Sequence, residues 1–278
     1  MRPKVVAIIQ ARMASSRLPD KVLLDIAGEP MLRRVWLRTA RASRVHDVLV
    51  ATTEDSSDDR VAEYCSEHGM GYTRGSQFDV LDRYYQAAGI SGANVVVRIT
   101  ADCPAIDPAL IDDAVELLLG TPTADDSTEY DFVANRLPPP FRRTFPIGLD
   151  VEVCTFAALE QAWQHGREPE HREHVMPYLY EGVQLAAVMP ELSVGRSAAG
   201  FRIAQRNHVP DLGGLRWTVD TADDLEFMRQ VYSRMGGRDD FSWNEVLELV
   251  EHEPALAEIN AGVRHKTLNE VDERATKR

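Results

Sequence analysis

A run of five apolar residues, Val5-Val6-Ala7-Ile8-Ile9, passes directly into a loop of cations and hydroxyls, and no other feature narrows the possible folds of this chain so far. An unbroken apolar run of that length reads as a strand buried on both faces, the hallmark of a parallel sheet covered by helices. The loop then emerges at the strand's carboxyl end, where open α/β sheets bind ligands. Arg12, Arg17 and Lys21 supply fixed positive charge, while Ser15, Ser16 and the backbone amides supply hydrogen-bond donors. That combination suits a polyphosphate.

The elements that follow alternate as this strand requires. Met31, Leu32, Val35 and Trp36 fall at helical spacing behind Pro30, and the arginines at 33, 34, 38 and 41 read as the solvated face of that helix. Val48–Thr52 is a second buried strand, followed by a helix from Ser57 or Asp58 to about His68. A helix at Phe78–Ala88, a strand at Val95–Ile99 and a helix at Pro108–Leu119 entered through Asp107 come next. This order predicts a mostly parallel sheet with helices on both faces. From Gly120 to Asp150 the pattern breaks into acidic and Pro-rich pieces, with a strand at Asp131–Asn135. Further on we expect a strand at Val151–Val153, helices at Phe156–Gln164 and Glu170–Tyr180 (interrupted near Pro177), a last core strand at Arg216–Val219, and helices at Ala222–Tyr232 and Trp243–Val250. One domain over 1–262 is expected, with a smaller excursion at about 130–215 on the acceptor side or at a dimer contact. A polar, disordered tail should occupy 263–278. Phe141, Phe145 and Tyr178, outside the sheet pattern, suggest a homodimer.

The net charge of −13 over 278 residues speaks against a nucleic-acid polymer as partner. Ten Lys/Arg against three Asp/Glu give the first 45 residues a balance of +7, so phosphate affinity is concentrated there. Cys65, Cys103 and Cys154 form no CxxC pair and no disulfide framework, which fits a reducing cytoplasm. No apolar run is long enough for a membrane span or a signal peptide, so a soluble, unprocessed protein is expected.

Asp102 follows the strand at 95–99 and Asp220 follows the segment at 216–219, both at the edge of the cationic loop. Each alone has a simpler explanation, Asp102 as part of a turn before Asp107 and Asp220 as a helix cap. Together, beside bound phosphates, they would repel the ligand unless a hard cation lay between them. Mg²⁺ takes one or two carboxylates plus phosphate oxygens, so both are expected to be metal ligands. Cys103 reads as packing, and Glu170-His171-Arg172-Glu173-His174 lacks the spacing of a zinc helix. Arg142, Arg143 and Arg172 are candidates for the anionic end of a second substrate, with surface ion pairs as the alternative.

Gln10-Ala11-Arg12-Met13-x-Ser15-x-Arg17-Leu18-Pro19-x-Lys21 resembles the signature of SpsF-type cytidylyltransferases, the spore coat polysaccharide biosynthesis relatives of CMP-sialate and CMP-KDO synthetases. The resemblance continues through Gly75-Ser76-x-x-Asp79-Val80-Leu81-x-Arg83-Tyr84, Thr100-x-Asp102-Cys103-Pro104, Gly148-Leu149-Asp150-Val151-Glu152, Arg172-Glu173-His174-Val175-x-Pro177 and Arg216-Trp217-Thr218-Val219-Asp220-Thr221, from about residue 4 to 235. It implies a Rossmann-like α/β fold of the GT-A, nucleotide-diphospho-sugar transferase type. CTP would meet Gln10, Ala11, Arg12, Ser15, Ser16, Arg17 and Lys21, with Arg74, Gly75, Ser76 and Asp79 near the base or ribose. Mg²⁺ would lie on Asp102 and Asp220, and Arg142, Arg143, Asp150, Glu152, Arg172 and His174 would meet the acceptor. Arg12, Lys21, Asp102 and Asp220 are the expected catalytic set. The chain departs from the family's pattern at Ala14, Asp20 and Ala101, where glycine is common.

The expected reaction is Mg²⁺-dependent transfer of CMP from CTP to a small acidic acceptor with release of pyrophosphate. The acceptor would be a sugar acid such as a nonulosonate, a phosphonate or a sugar phosphate. A glycosyltransferase of GT-A type is the alternative, weakened by the lack of an Asp-x-Asp motif. A nucleotide-binding protein without turnover is another. The absence of GxGxxG after the first strand speaks against a nicotinamide dehydrogenase, and the absence of GxxxxGK[ST] excludes a Walker-type NTPase.

Overall fold

Val5–Ile9 lies inside a sheet in which each of its five residues is at most 1 % exposed. The computed structural model describes residues 3–120 and 129–264. Its strands are β1 (Val5–Gln10), β2 (Asp25–Ile26), β3 (Glu29–Pro30), β4 (Asp47–Thr53), β5 (Gly71–Gly75), β6 (Val95–Thr100), β7 (Phe132–Ala134), β8 (Glu152–Thr155), β9 (Gln184–Met189), β10 (Leu192–Arg196) and β11 (Arg202–Arg206). The helices are α1 (Met31–Thr39), α2 (Asp59–Glu67), α3 (Val80–Ser91), α4 (Pro108–Leu119), α5 (Phe156–His165), α6 (Pro169–His174), α7 (Pro177–Tyr180), α8 (Ala222–Arg234), α9 (Trp243–His252) and α10 (Ala255–Glu258).

Nine strands form one sheet in the order β5-β4-β1-β6-β8-β7-β11-β10-β9, and β2 with β3 forms a separate hairpin. All but β8 and β10 run in the same direction, which bears out the mostly parallel α/β architecture. Alternate residues of β1 serve opposite faces. Ala7 and Ile9 pack in the core shared with α1, α4, α8 and α9, and Val6 and Ile8 in the core shared with α3, α5 and α7.

Three expectations change and one is borne out. The 130–215 region returns to the sheet, since β7 pairs between β8 and β11, and β9 and β10 extend that side. Arg216–Val219 is extended but forms only one bridge, Ile147 to Arg216, because β8 already occupies the place beside β6. The interruption expected near Pro177 is present: α6 stops before Val175, whose φ of 73° no helix accepts, and α7 restarts on Pro177. Finally, Arg34 and Arg38 are buried. Arg38 donates to the carbonyls of Ile106 (2.7 Å), Asp239 (3.0 Å) and Phe241 (2.9 Å), and Arg34 pairs with Asp239 at 2.7 Å. They satisfy loop carbonyls that no strand reaches, a role that helical periodicity does not reveal.

The three aromatics taken as a dimer signal also pack within the chain. Phe145 lies against Trp243, while Phe141 and Tyr178 cover the α3/α5 core. Their position outside the sheet pattern therefore calls for no second copy. Val263 and Arg264 still make hydrogen bonds, and the rest of the expected tail falls outside the described residues.

Candidate active site

The loop after β1 is closed by its own backbone. The Asp20 amide donates to Met13 O at 3.2 Å, and the Met13 amide donates to the buried carboxylate of Asp58 at 2.6 Å. Asp20 sits in the left-handed region at φ 59°, which explains why glycine suits this position and why Asp, more tolerant there than most residues, can replace it. The turn aims Lys21 across the end of the sheet. Its Nζ lies 2.8 Å from Asp102 Oδ2, 2.9 Å from Asp220 Oδ1 and 3.0 Å from Val219 O. Lys21 and the two distant aspartates therefore converge on a single point.

Asp102 arrives from β6, whose end is held by the Ala101 amide donating to Gln10 O at 3.1 Å. Asp220 arrives along the extended 216–219 segment, which is pinned to the same loop by Val219 N to Asp102 O (2.8 Å) and Thr218 Oγ1 to Asp102 O (3.1 Å). Asp220 does not cap the next helix. Thr221 does, in a capping box with Asp224, which leaves the Asp220 side chain for Lys21, Arg17 (2.9 Å) and Arg216 (3.0 Å). Arg216 is held in turn by the fully buried Asp224, and Asn260 donates to both Arg216 O and Asp224. Sequence reasoning placed Arg216 in a motif but assigned no function to it or to Asp224. The four-residue interval between Asp220 and Asp224, with an arginine four residues before Asp220, was the available signal.

Burial works against the charges in this cluster, and their pairing overrides it. Lys21 is held above its ordinary pKa by Asp102 and Asp220 despite its burial. Asp220, which burial alone would push up, is brought down to about 2 by Lys21, Arg17 and Arg216. Because this folded-state value lies below the unfolded one, Asp220 contributes stability that is complete above roughly pH 4 and lost as the pH falls through about 2. The contribution is on the order of 2 kcal/mol. Urea unfolding should therefore show a gap between the wild type and Asp220→Asn at pH 6 that shrinks by more than half at pH 2.5; a constant gap would refute the linkage.

The remaining candidates are distributed unevenly. Asp150 raises the pKa of Cys103 together with burial and Asp102, so it lies on the Asp102 side, and its carboxylate forms a two-point pair with Arg143. Cys103 is a buried thiol held in its protonated form, which suits packing. Glu152 lies beneath, buried in β8 and paired with the partly buried Arg98 at 2.5 Å, and Arg98 donates to Gln10 Oε1 at 3.0 Å. Arg142 points outward to Asp211 with 79 % of its side chain exposed. Arg172 reaches Asp79, the N-cap of α3, and so ties α6 to α3. Arg74 turns to Thr53 O (2.8 Å) and Asp59 (2.7 Å). Ser76 Oγ accepts from the Asp79 amide at 3.1 Å, Ser15 Oγ from the Leu18 amide at 3.4 Å, and the Ala11 amide donates to Ala51 O at 3.2 Å. Ser16 is exposed in the open loop, and His174 ends α6. Gly75 ends β5 against the stem of Arg83.

No helix among the described residues is long and apolar enough to cross a membrane. The chain matches the cytidylyltransferase family over residues 6–231. It is 27 % identical over 259 residues to the spore coat polysaccharide biosynthesis protein SpsF of Bacillus subtilis, spanning 91 % of this chain and 96 % of that protein. The solved structure of a cytidylyltransferase from Leptospira borgpetersenii superimposes with a TM-score of 0.79 at 30 % identity, over 95 % of this chain and 100 % of the other. A CMP:2-keto-3-deoxy-manno-octonic acid synthetase solved with CTP shares the fold, with a TM-score of 0.58 at 19 % identity over 84 % of this chain and 99 % of the other.

Proposed function

Because this chain belongs to the cytidylyltransferase family, we propose that it transfers CMP from CTP to a small acidic acceptor and releases pyrophosphate. The acceptor class is a sugar acid of the nonulosonate kind, with a phosphonate or sugar phosphate as the other candidates. The observation that carries this reading is the convergence of Lys21, Asp102 and Asp220 at the end of the parallel half of the sheet. The synthetase of the same fold that was solved with CTP supports the choice of nucleotide.

Two carboxylate oxygens already meet around one cationic nitrogen, an oxygen-only donor pair of the kind Mg²⁺ uses when phosphate oxygens complete its shell. Asp102 and Asp220 would hold that ion, which when bound supplies charge neutralisation to the triphosphate. The chain's own residues do the rest. Lys21, released from the carboxylates, swings its ammonium to the phosphates. Arg12 and Arg17 line the same loop and oppose the negative charge that builds on the leaving pyrophosphate. Arg216 and Asp224 fix the direction of Asp220, so that geometry is set before the ligand arrives. Asp150 and Arg143, on the Asp102 side, are the groups best placed to orient the acceptor oxygen for in-line attack at the α-phosphorus. Arg172 and Glu152 hold the walls of the site through Asp79 and Arg98.

Pyrophosphate release measured with each of the four nucleoside triphosphates, with and without Mg²⁺, across a panel of acidic sugars tests the reading. Turnover restricted to CTP and one acceptor class is the expected result. CTP binding without pyrophosphate release from any acceptor would favour a binding protein instead. Lys21→Ala should weaken CTP affinity at least about tenfold, through loss of a charge-assisted contact. An unchanged affinity in calorimetry would remove Lys21 from the triphosphate site.

A further inference from the structure

Arg83 is a buried cation whose guanidinium is incompletely paired among the described residues. It lies in the first turns of α3 and is 3 % exposed, and neither its Nε nor its Nη1 is hydrogen-bonded. The two carboxylates near enough to act on it are already engaged, Asp58 by Met13 N and Thr53 Oγ1 and Asp79 by Asp82 N and Arg172. Burial, with Arg12 adding repulsion, pushes its pKa down to about 10. A guanidinium left in this condition is costly, and it persists where a ligand supplies the missing acceptors.

Its location indicates which part of a ligand it would meet. The Arg83 stem runs along Gly75, with Cγ 3.0 Å from where a Cβ on that glycine would stand, and its charge is felt by Arg12 in the β1 loop. It therefore lies between the ends of β5 and β1, on the opposite side of the loop from Asp102 at the end of β6. In the order β5-β4-β1-β6 these ends are three strand spacings apart, about 14 Å. That is comparable to the reach of a nucleotide from base to terminal phosphate. With the phosphates at the Lys21 cluster, the base falls on the β5 side, beside Arg83 and Gly75.

We propose that Arg83 reads the base of the bound nucleotide, the guanidinium edge that its orphaned Nε shares with Nη2 donating to the adjacent O2 and N3 of cytosine. Both of those atoms accept. In uracil N3 carries a hydrogen and would confront a donor with a donor, so this contact selects CTP over UTP. The assignment rests on the cytidylyl-transfer reading above and adds a specificity-determining residue to it.

Calorimetric titration of the whole protein with CTP, UTP and inorganic tripolyphosphate, together with thermal unfolding, tests the assignment. Arg83→Met should lower CTP affinity roughly 10- to 100-fold, to the level of UTP, as expected for loss of a two-point base contact. Tripolyphosphate affinity should be unchanged, and the melting temperature should hold or rise, because a buried unpaired charge has been removed. Arg83→Lys, which cannot present two donors in one plane, should not restore the preference. Unchanged CTP affinity in Arg83→Met would overturn the assignment. So would an equal loss for tripolyphosphate, which would make Arg83 a phosphate ligand, or a fall in melting temperature with loss of all binding, which would make it structural. A wild type with no affinity for CTP would instead remove the transfer reading itself.

Discussion

Asp220→Asn is expected to lower CMP transfer about a thousandfold, the scale of removing one preorganised electrostatic group from a reaction centre. The same loss is expected for Asp102→Asn, because both carboxylates meet the one ammonium of Lys21. Their stabilities should differ. Asp102 pairs with Lys21, whereas Asp220 pairs with Lys21, Arg17 and Arg216, and Arg216 is 8 % exposed and cannot turn to water. Asp220→Asn should therefore cost about 1–3 kcal/mol in folding stability, and Asp102→Asn less. Steady-state kinetics together with urea unfolding separate the two effects. A near-normal kcat in either variant would refute the role given to these carboxylates.

Gly148→Ala should be the most damaging single-methyl change near the site. Gly148 has a φ of +105°, and a Cβ there would stand 2.5 Å from Thr218 N and 2.6 Å from Trp217 C. Those are backbone atoms with no rotamer to give way. Strain of 1–2 kcal/mol from the backbone angle and a similar amount from forced separation give a loss of about 3 kcal/mol, or roughly 6–12 °C in Tm. Activity should fall with it, since the displaced segment carries Asp220. Gly214→Ala is the control, because nothing lies within 4 Å of its added methyl and its φ is not positive. Equal Tm values for the two variants would contradict this account.

The central strand, its loop and the convergence of Lys21, Asp102 and Asp220 were legible because each follows from local rules: an apolar run, a charge cluster, and an acid at the edge of a sheet. What escaped notice depends on partners distant in sequence. Helical periodicity places Arg34 and Arg38 on a charged face, yet the loop at 237–241, two hundred residues away, covers that face and accepts their hydrogen bonds. Arg216–Val219 has the apolar pattern of a strand, but pairing also requires a vacant neighbour, and β8 holds that place. The residues expected at the acceptor show the same limit. Arg143 and Asp150 lie beside Asp102's side of the site, whereas Arg142 turns to Asp211 and Arg172 to Asp79. Residue type alone does not distinguish a wall from a lining.

The reversed strand β8 divides the labour of the sheet. Lys21 and Asp102, proposed to meet the nucleotide, are carried by chain leaving β1 and β6, whereas Asp150 belongs to chain about to enter a strand that runs the other way. Residues inserted ahead of Glu152 would lengthen the acceptor wall without shifting the register of Arg98 on Glu152 or disturbing the β1 loop. Under the proposed function, such insertions refit the scaffold for acceptors of different size while the residues assigned to the triphosphate are inherited intact.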